Sequence, residues 1–274
     1  MPPQTSKSEL NYEGIDSNLV RHIEVLRHRV FESTKFHPQF DLLISDLLVL
    51  RSRLEPTMCV VSAERMLLYG KNLFSPLFDH VRYISLDSSP RSADSRGTYN
   101  SKLVDHPDFI TCACESIRCS PAELPLPDSS VDVLLVPNLV HHVENQGRFW
   151  SEAARILRPG GTLYVFEPTL RELHQDPDDY LRYTPNGLKS VLMEHGFVTQ
   201  NISTTGGPFT AIAYCWNQAL QYLDGEEKSS WSNWFNNHFE DLIRLESSHP
   251  TNLVRKHTSF PTAFSLRAIR AGAE

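Results

Sequence analysis

Leu124 to Pro168 reads LPLPDSSVDVLLVPNLVHHVENQGRFWSEAARILRPGGTLYVFEP. The turn PLPDSS leads into VDVLLVPN, a nearly continuous apolar run of the kind carried by a strand buried on both faces. RFWSEAARILRPGG has helical spacing and ends at Pro159 and the Gly160–Gly161 pair, as a helix stop should. TLYVFEP returns to a strand. A strand, a helix and a second strand at this spacing imply a right-handed crossover and a mainly parallel sheet.

The alternation continues on both sides. RMLLYGKNLFSPLFDHVRYISLD, Arg65 to Asp87, reads as a strand, a turn holding Gly70, a short helix and a second strand ending in an acid. TMCVVS or RMLLY can supply the first of these strands, and RMLLY is preferred because the turn follows it directly. FITCAC is expected to be the third strand, after a polar surface loop from Ser88 to Asp108. Downstream, TPNGLKSVLMEHGF predicts a helix with Thr184 as cap and Pro185 at its first position. VTQNIST and AFSLRAIRA supply two last strands. The expected fold is α/β and Rossmann-like, with a mainly parallel seven-stranded sheet and helices on both faces.

Two amphipathic helices are expected before the sheet, one starting at Ser17 as N-cap and running to Phe31, the other over Phe40–Leu54. The chain is therefore divided into a lead and helical cap, 1–56, and an α/β domain, 57–274. A helical insertion at about 208–260 carries Trp216, Tyr222, Trp231, Trp234, Phe235 and Phe239. Those aromatics suit a helical pair packed on the sheet, a subunit interface such as a homodimer's, or a wall over a substrate pocket.

The 274 residues carry a formal net charge of -7, which argues against nucleic acid as a general partner. No apolar run is long enough to span a bilayer, and the polar MPPQTSKSELNYEG start lacks a signal peptide's apolar core. Five cysteines without a regular framework suit reduced thiols in a cytoplasmic protein. Cys112, Cys114 and Cys119 cluster, but no paired CxxC or nearby His completes a zinc set, so no metal is expected.

Leu124, Pro125, Asp128, Ser130 and Asp132, then Asn138, Leu139, His142 and Val143, then Leu157 to Gly161, agree in type, order and spacing with one family. The segment closely resembles class I S-adenosylmethionine-dependent methyltransferases of the type 11 kind. PDDYLRYTPNGLKSVLMEHGF resembles a subgroup with a D-Y-x-R-Y-T-P-x-G-L segment after the fifth strand, and the likeness extends over about Arg65 to Gly207. The resemblance implies S-adenosylmethionine as cofactor and methyl transfer to a small-molecule oxygen, nitrogen or carbon nucleophile. It also leaves a second reading, in which a methyltransferase-like protein performs a cyclisation, elimination or rearrangement or serves as a non-catalytic partner subunit.

The likeness is weakest at the glycine loop. Gly70 falls at the family's middle glycine, Leu68 and Asn72 at the outer ones, and Met66 at a frequent acid. Glycines matter there because the backbone must turn tightly and approach the ligand without a Cβ. The resemblance implies a cofactor site made by Tyr69, Gly70, Asp87, Ser88, Ser120, Ala122, Pro137 and Asn138. Asp87 would accept both ribose hydroxyls on its two carboxylate oxygens, and Ser120 stands where an adenine-contacting acid aligns. His141 and His142 are the candidate bases, since imidazole titrates near neutrality. His141 is preferred as the pocket-facing one. Glu167, Tyr180, Arg182, Tyr183 and Trp216 are the candidate substrate contacts.

Overall fold

The computed structural model describes residues 12, 14–26, 38–64, 67–68, 71–88, 107–110, 114–173, 177–248 and 260–272. Seven strands form one sheet: β1 (Cys59–Glu64), β2 (Arg82–Asp87), β3 (Glu115–Arg118), β4 (Val131–Pro137), β5 (Leu157–Pro168), β6 (Phe197–Thr205) and β7 (Ala263–Arg270). Their order across the sheet is β3-β2-β1-β4-β5-β7-β6. β1 to β5 pair in parallel, while β7 runs antiparallel to both of its neighbours. The chain reverses from β3 on one side to β4 on the other, so a crevice opens beyond the carboxyl ends of β1 and β4.

The side-chain period of two divides the core. Val60, Tyr83, Val133, Leu135, Tyr164 and Phe166 face the helices α1 (Ser17–Val25) and α2 (Pro38–Arg51). Val61, Ile84, Leu134, Val136 and Val165 face α3 (Gln146–Ile156) and α4 (Pro185–Glu194). Phe149 and Trp150 of α3 are wholly buried. Each such side chain contributes about 1.5–3 kcal/mol, well above the few tenths by which helix propensities differ, so packing holds α3 in place.

Several expectations shift in register. The first strand is Cys59–Glu64, all six residues buried, rather than RMLLY. Leu67–Leu68 instead pairs antiparallel with Lys71–Asn72 in a small hairpin outside the sheet. The expected helix before β2 is a single 3-10 turn, Ser75–Phe78. Its residues and the preceding Leu73 and Phe74 are buried, so packing takes the place of helical regularity. β3 is described at Glu115–Arg118, pairing Ile84 with Glu115 through Asp87 with Arg118, while residues 111–113 of the expected FITCAC strand lie outside the described residues. A sheet-edge strand tolerates such polar residues.

α1 is capped by Asp16, whose carboxylate accepts from the amides of Asn18 and Leu19, and not by Ser17. α3 stops at Ile156, and Arg158–Gly161 form a bulge as β5 begins, Val131 pairing with Leu157 but Val133 with Thr162. Gly161 is needed there. A Cβ at that position would lie 2.8 Å from the Arg158 carbonyl oxygen and 3.2 Å from that of Asp132. The insertion forms α5 (Pro208–Ala219) and α6 (Gly225–Ser248), which pack on each other.

Candidate active site

The carboxyl ends of β2, β3 and β4 surround a cavity of about 250 Å³. Ser88 follows β2, Ser120 and Ala122 follow β3, and His142 lies in the 3-10 turn Val140–His142 after β4. Asp178 and Tyr180 close it from the segment after β5. Five of the residues singled out in the sequence therefore meet in one place: Ser88, Ser120, Ala122, His142 and Tyr180.

The turn after β4 is held from below. Glu167, at the end of β5 and 2% exposed, accepts the Val140 amide on one oxygen and faces His141 Nδ1 with the other, both at 2.6 Å. His141 is wholly buried, so it does not line the cavity as the sequence reading preferred; His142 does. The reason is the Glu167 carboxylate, which draws the first imidazole inward and leaves the second at the surface of the turn. The two rings are tilted at 45° to each other, with centroids 4.0 Å apart. Asn138, just before the turn, has φ of 56°, a left-handed angle that asparagine tolerates better than most residues. Its amide bonds the Phe166 carbonyl at 2.7 Å, which keeps the tips of β4 and β5 together.

His142 Nδ1 lies 2.5 Å from the Asp178 carbonyl oxygen. A carbonyl only accepts, so Nδ1 carries the proton and Nε2 is the basic nitrogen of the neutral ring. The Tyr180 amide bonds back to the His141 carbonyl at 2.8 Å, and the Tyr180 hydroxyl reaches Asp178 Oδ1 at 3.2 Å. The segment after β5 is thus fastened to both histidines.

Asp87 ends β2, half-buried, with its Cα paired to that of Glu64. Its carbonyl accepts the Cys119 amide at 3.0 Å, and the Ser88 amide donates to the Glu64 carbonyl at 3.0 Å. Burial, with the Asp87 charge adding to it, pushes the Cys119 thiol up to about 11. Glu64 is an acid that the sequence reading missed. It stands wholly buried at the tip of β1, two positions before Met66. The signal was an acid directly after a buried run, hidden once the strand was placed at RMLLY. Tyr69 and Gly70 lie outside the described residues.

The other candidates lie apart from the cavity lining. Pro137 is buried at the tip of β4. Arg182 chelates Asp179, contacting both carboxylate oxygens, and donates to the Glu172 carbonyl at 3.1 Å. The Asp179 carboxylate raises the Arg182 guanidinium further above its ordinary value. The Tyr183 hydroxyl points to Gln146 at 3.5 Å. Trp216 packs against Trp231 and Trp234 between α5 and α6, centroids 5.7 and 5.2 Å away, and does not line the cavity. Among the described residues, no group of three or more His, Cys, Asp or Glu is placed to hold a metal, and no helix is long and apolar enough to cross a membrane.

A seven-stranded sheet of this order, with an antiparallel last pair and a cavity at the crevice, defines a Rossmann-like methyltransferase fold. The [4+2]-cyclase SpnF shares it at a TM-score of 0.51 and 13% identity, over 88% of this chain and 85% of that one. A Galdieria sulphuraria protein assigned as a sarcosine dimethylglycine methyltransferase also scores 0.51 at 13% identity, over 93% and 99%. At such identities the likeness concerns architecture alone.

Residues 67–165 match the family model described as "Methyltransferase domain". A Mycobacterium tuberculosis protein carrying the name "probable S-adenosylmethionine-dependent methyltransferase" is 37% identical over 106 residues, 36% of this chain and 39% of the relative. A Mycolicibacterium smegmatis protein of similar name is 51% identical over 47 residues, 17% and 18% of the two chains. The match spans about two fifths of the Mycobacterium tuberculosis relative's length. Over this segment the chain is similar to S-adenosylmethionine-dependent methyltransferases, and the likeness covers just over a third of its length.

Proposed function

We propose that this chain transfers the methyl group of S-adenosylmethionine to a proton-bearing nucleophile on a small molecule, with His142 as the base. The observation that carries this reading is the contact of His142 Nδ1 with the Asp178 carbonyl oxygen, which assigns the tautomer. Its protonated Nδ1 is anchored to the Asp178 carbonyl, which leaves a basic Nε2 on a residue of the cavity wall.

The described part of the cofactor site fits the group. The Asp87 carboxylate at the β2 tip offers two acceptor oxygens to a ribose, and Ser88, Ser120 and Ala122 line the adjoining wall. When bound, the cofactor supplies an electrophilic methyl carbon on a sulfonium. The chain's own work is then to hold the nucleophile and remove its proton. Tyr180, fixed by the His141 carbonyl, and Asp178 border the place where a substrate would lie. His142 accepts the proton on Nε2, while Glu167 and His141 keep the turn from shifting, since a misplaced base loses much of its effect. A small-molecule substrate suits a cavity of about 250 Å³, and the net charge of -7 disfavours nucleic acid. A cytoplasmic location accords with the cysteine usage.

Calorimetry with S-adenosylhomocysteine tests the cofactor reading. Micromolar binding is expected, and silence at millimolar ligand would sink it. Asp87→Ala should remove most of that affinity. His142→Gln should leave it unchanged while lowering kcat by about 10²–10⁴-fold with a turned-over substrate. Normal turnover in this variant would end the assignment of His142 as base.

A further inference from the structure

A second cavity, of about 300 Å³, lies at the opposite ends of the strands, where β4 and β5 begin and β7 finishes. It is lined by Arg53, Arg158 and Arg267 together with Asp132. Three guanidinium groups against one carboxylate leave two positive charges in this lining, on a chain whose net charge is -7. Local charge so opposed to the whole focuses an attractive field on anions.

Asp132 does not cancel all three. One of its oxygens accepts the Cys59 amide at 2.6 Å, and the other pairs with Arg158 Nη1 at 2.5 Å. Arg53 follows α2 and is exposed, and its side chain makes no ion pair among the described residues. Arg267 projects from β7, and its charge lowers the carboxyl of Asp46 against the stronger upward effect of burial. Within 4 Å, Arg267 also makes no ion pair among the described residues. Leu54, Met58, Val133 and Ile269 give the wall an apolar part, beside the polar Thr162 and Gln200. The lining therefore offers both cationic and apolar contacts.

We infer that this cavity binds a small amphiphilic oxyanion, a carboxylate or phosphate monoester bearing a short apolar chain, at a site separate from the methyl-transfer cavity. Arg53 and Arg267 hold the oxygens, since guanidinium groups present a planar fork of donors that matches both head groups. Leu54, Met58 and Ile269 take the chain. A ligand lacking either half forfeits one of these two kinds of contact.

Calorimetry on the full chain at low salt, saturated with S-adenosylhomocysteine, tests this with four probes: hexanoate, n-butyl phosphate, inorganic phosphate and hexanol. Hexanoate or n-butyl phosphate should bind with a Kd of about 1 mM or tighter, and whichever binds better identifies the head group. Inorganic phosphate and hexanol should each bind at least about fivefold more weakly, because each lacks one half. Arg53→Gln and Arg267→Gln should each weaken the better probe about tenfold, and the exposed Arg53 can change without disturbing the fold. Equal affinity for all four probes, no heat at about 20 mM, or affinity unchanged in both variants would overturn the inference. A probe that binds the protein without S-adenosylhomocysteine but gives no heat with the saturated protein would also overturn it, by placing the anion in the cofactor site. Failure of this test leaves the methyl-transfer reading untouched, since the two are read with different ligands.

Discussion

His141 and His22 are both wholly buried, one beneath the turn after β4 and the other beneath the chain that leads from β1 toward β2. His141 is held by a carboxylate, Glu167, at 2.6 Å. His22, on α1, is held by backbone alone: Nε2 donates to the Leu73 carbonyl at 3.3 Å and Nδ1 accepts the Ile110 amide at 3.0 Å. Its ring rests on Phe109, centroids 5.0 Å apart. Burial pushes the His22 imidazole down to about 4, the Leu73 bond opposing only in part. One half of the rim is thus tied by charge and the other by a neutral ring between two peptide groups. A helix outside the sheet steadies the half where glycines are missing, whereas the β4–β5 half is braced from within.

That contrast is broken most directly at Glu167. Glu167→Ala removes the partner of a buried histidine and the acceptor of the Val140 amide together. A loss of about 3–5 kcal/mol is expected in urea unfolding. Glu167→Gln keeps an acceptor oxygen and should cost less, about 1–3 kcal/mol. If the alanine variant loses under about 1 kcal/mol, the carboxylate does not organise this half.

His22 sharpens the comparison through pH. In the unfolded chain it takes up a proton near its ordinary value of 6.5, but in the folded protein only near 4. The unfolded state therefore binds more protons between those values. The contribution of neutral His22 is complete above about pH 6.5 and is lost as the pH falls toward about 4. The loss between pH 7 and pH 5 is about 2 kcal/mol. His22→Gln should be less stable than the wild type at pH 7 yet flatter with pH. Parallel curves for the two proteins would show that the proton goes elsewhere.

The β4–β5 half was legible because its motif residues satisfy one another at short range. Arg155 on α3 binds the Leu124 and Leu126 carbonyls, each at 2.8 Å, and Asp128 Oδ1 at 2.7 Å, fastening the LPLPD turn. Glu152 accepts the Leu124 amide at 2.9 Å, and Ser130 bonds the Pro127 carbonyl at 2.7 Å. Type and spacing therefore encode the contacts. The β1–β2 half hid its strand because Ser62 and Glu64 interrupt the apolar run, although both are buried. RMLLY looked more apolar and pulled the strand downstream. Which histidine faces the cavity could not be read either, since the Asp178 carbonyl that fixes His142 comes from 36 residues further along. Trp216 illustrates the same limit: helical spacing predicted α5, but only its packing against Trp231 and Trp234 separates it from the cavity.

The smallest effect tests whether the segment after β5 is held by the histidines or by the helix that follows it. Thr184 Oγ1 caps α4 by accepting the Gly187 amide at 3.1 Å. Thr184→Ala should cost about 1 kcal/mol, as removal of an N-cap usually does. The bonds that position Asp178 and Tyr180 run to His142 and His141, and none of them involves Thr184. Affinity for S-adenosylhomocysteine and turnover should therefore stay unchanged in this variant while the urea midpoint falls. A fall in turnover larger than the stability change accounts for would mean that α4, rather than the histidine turn, sets the position of Tyr180. The charge-tied half of the rim would then extend no further than Glu167 and the turn it holds.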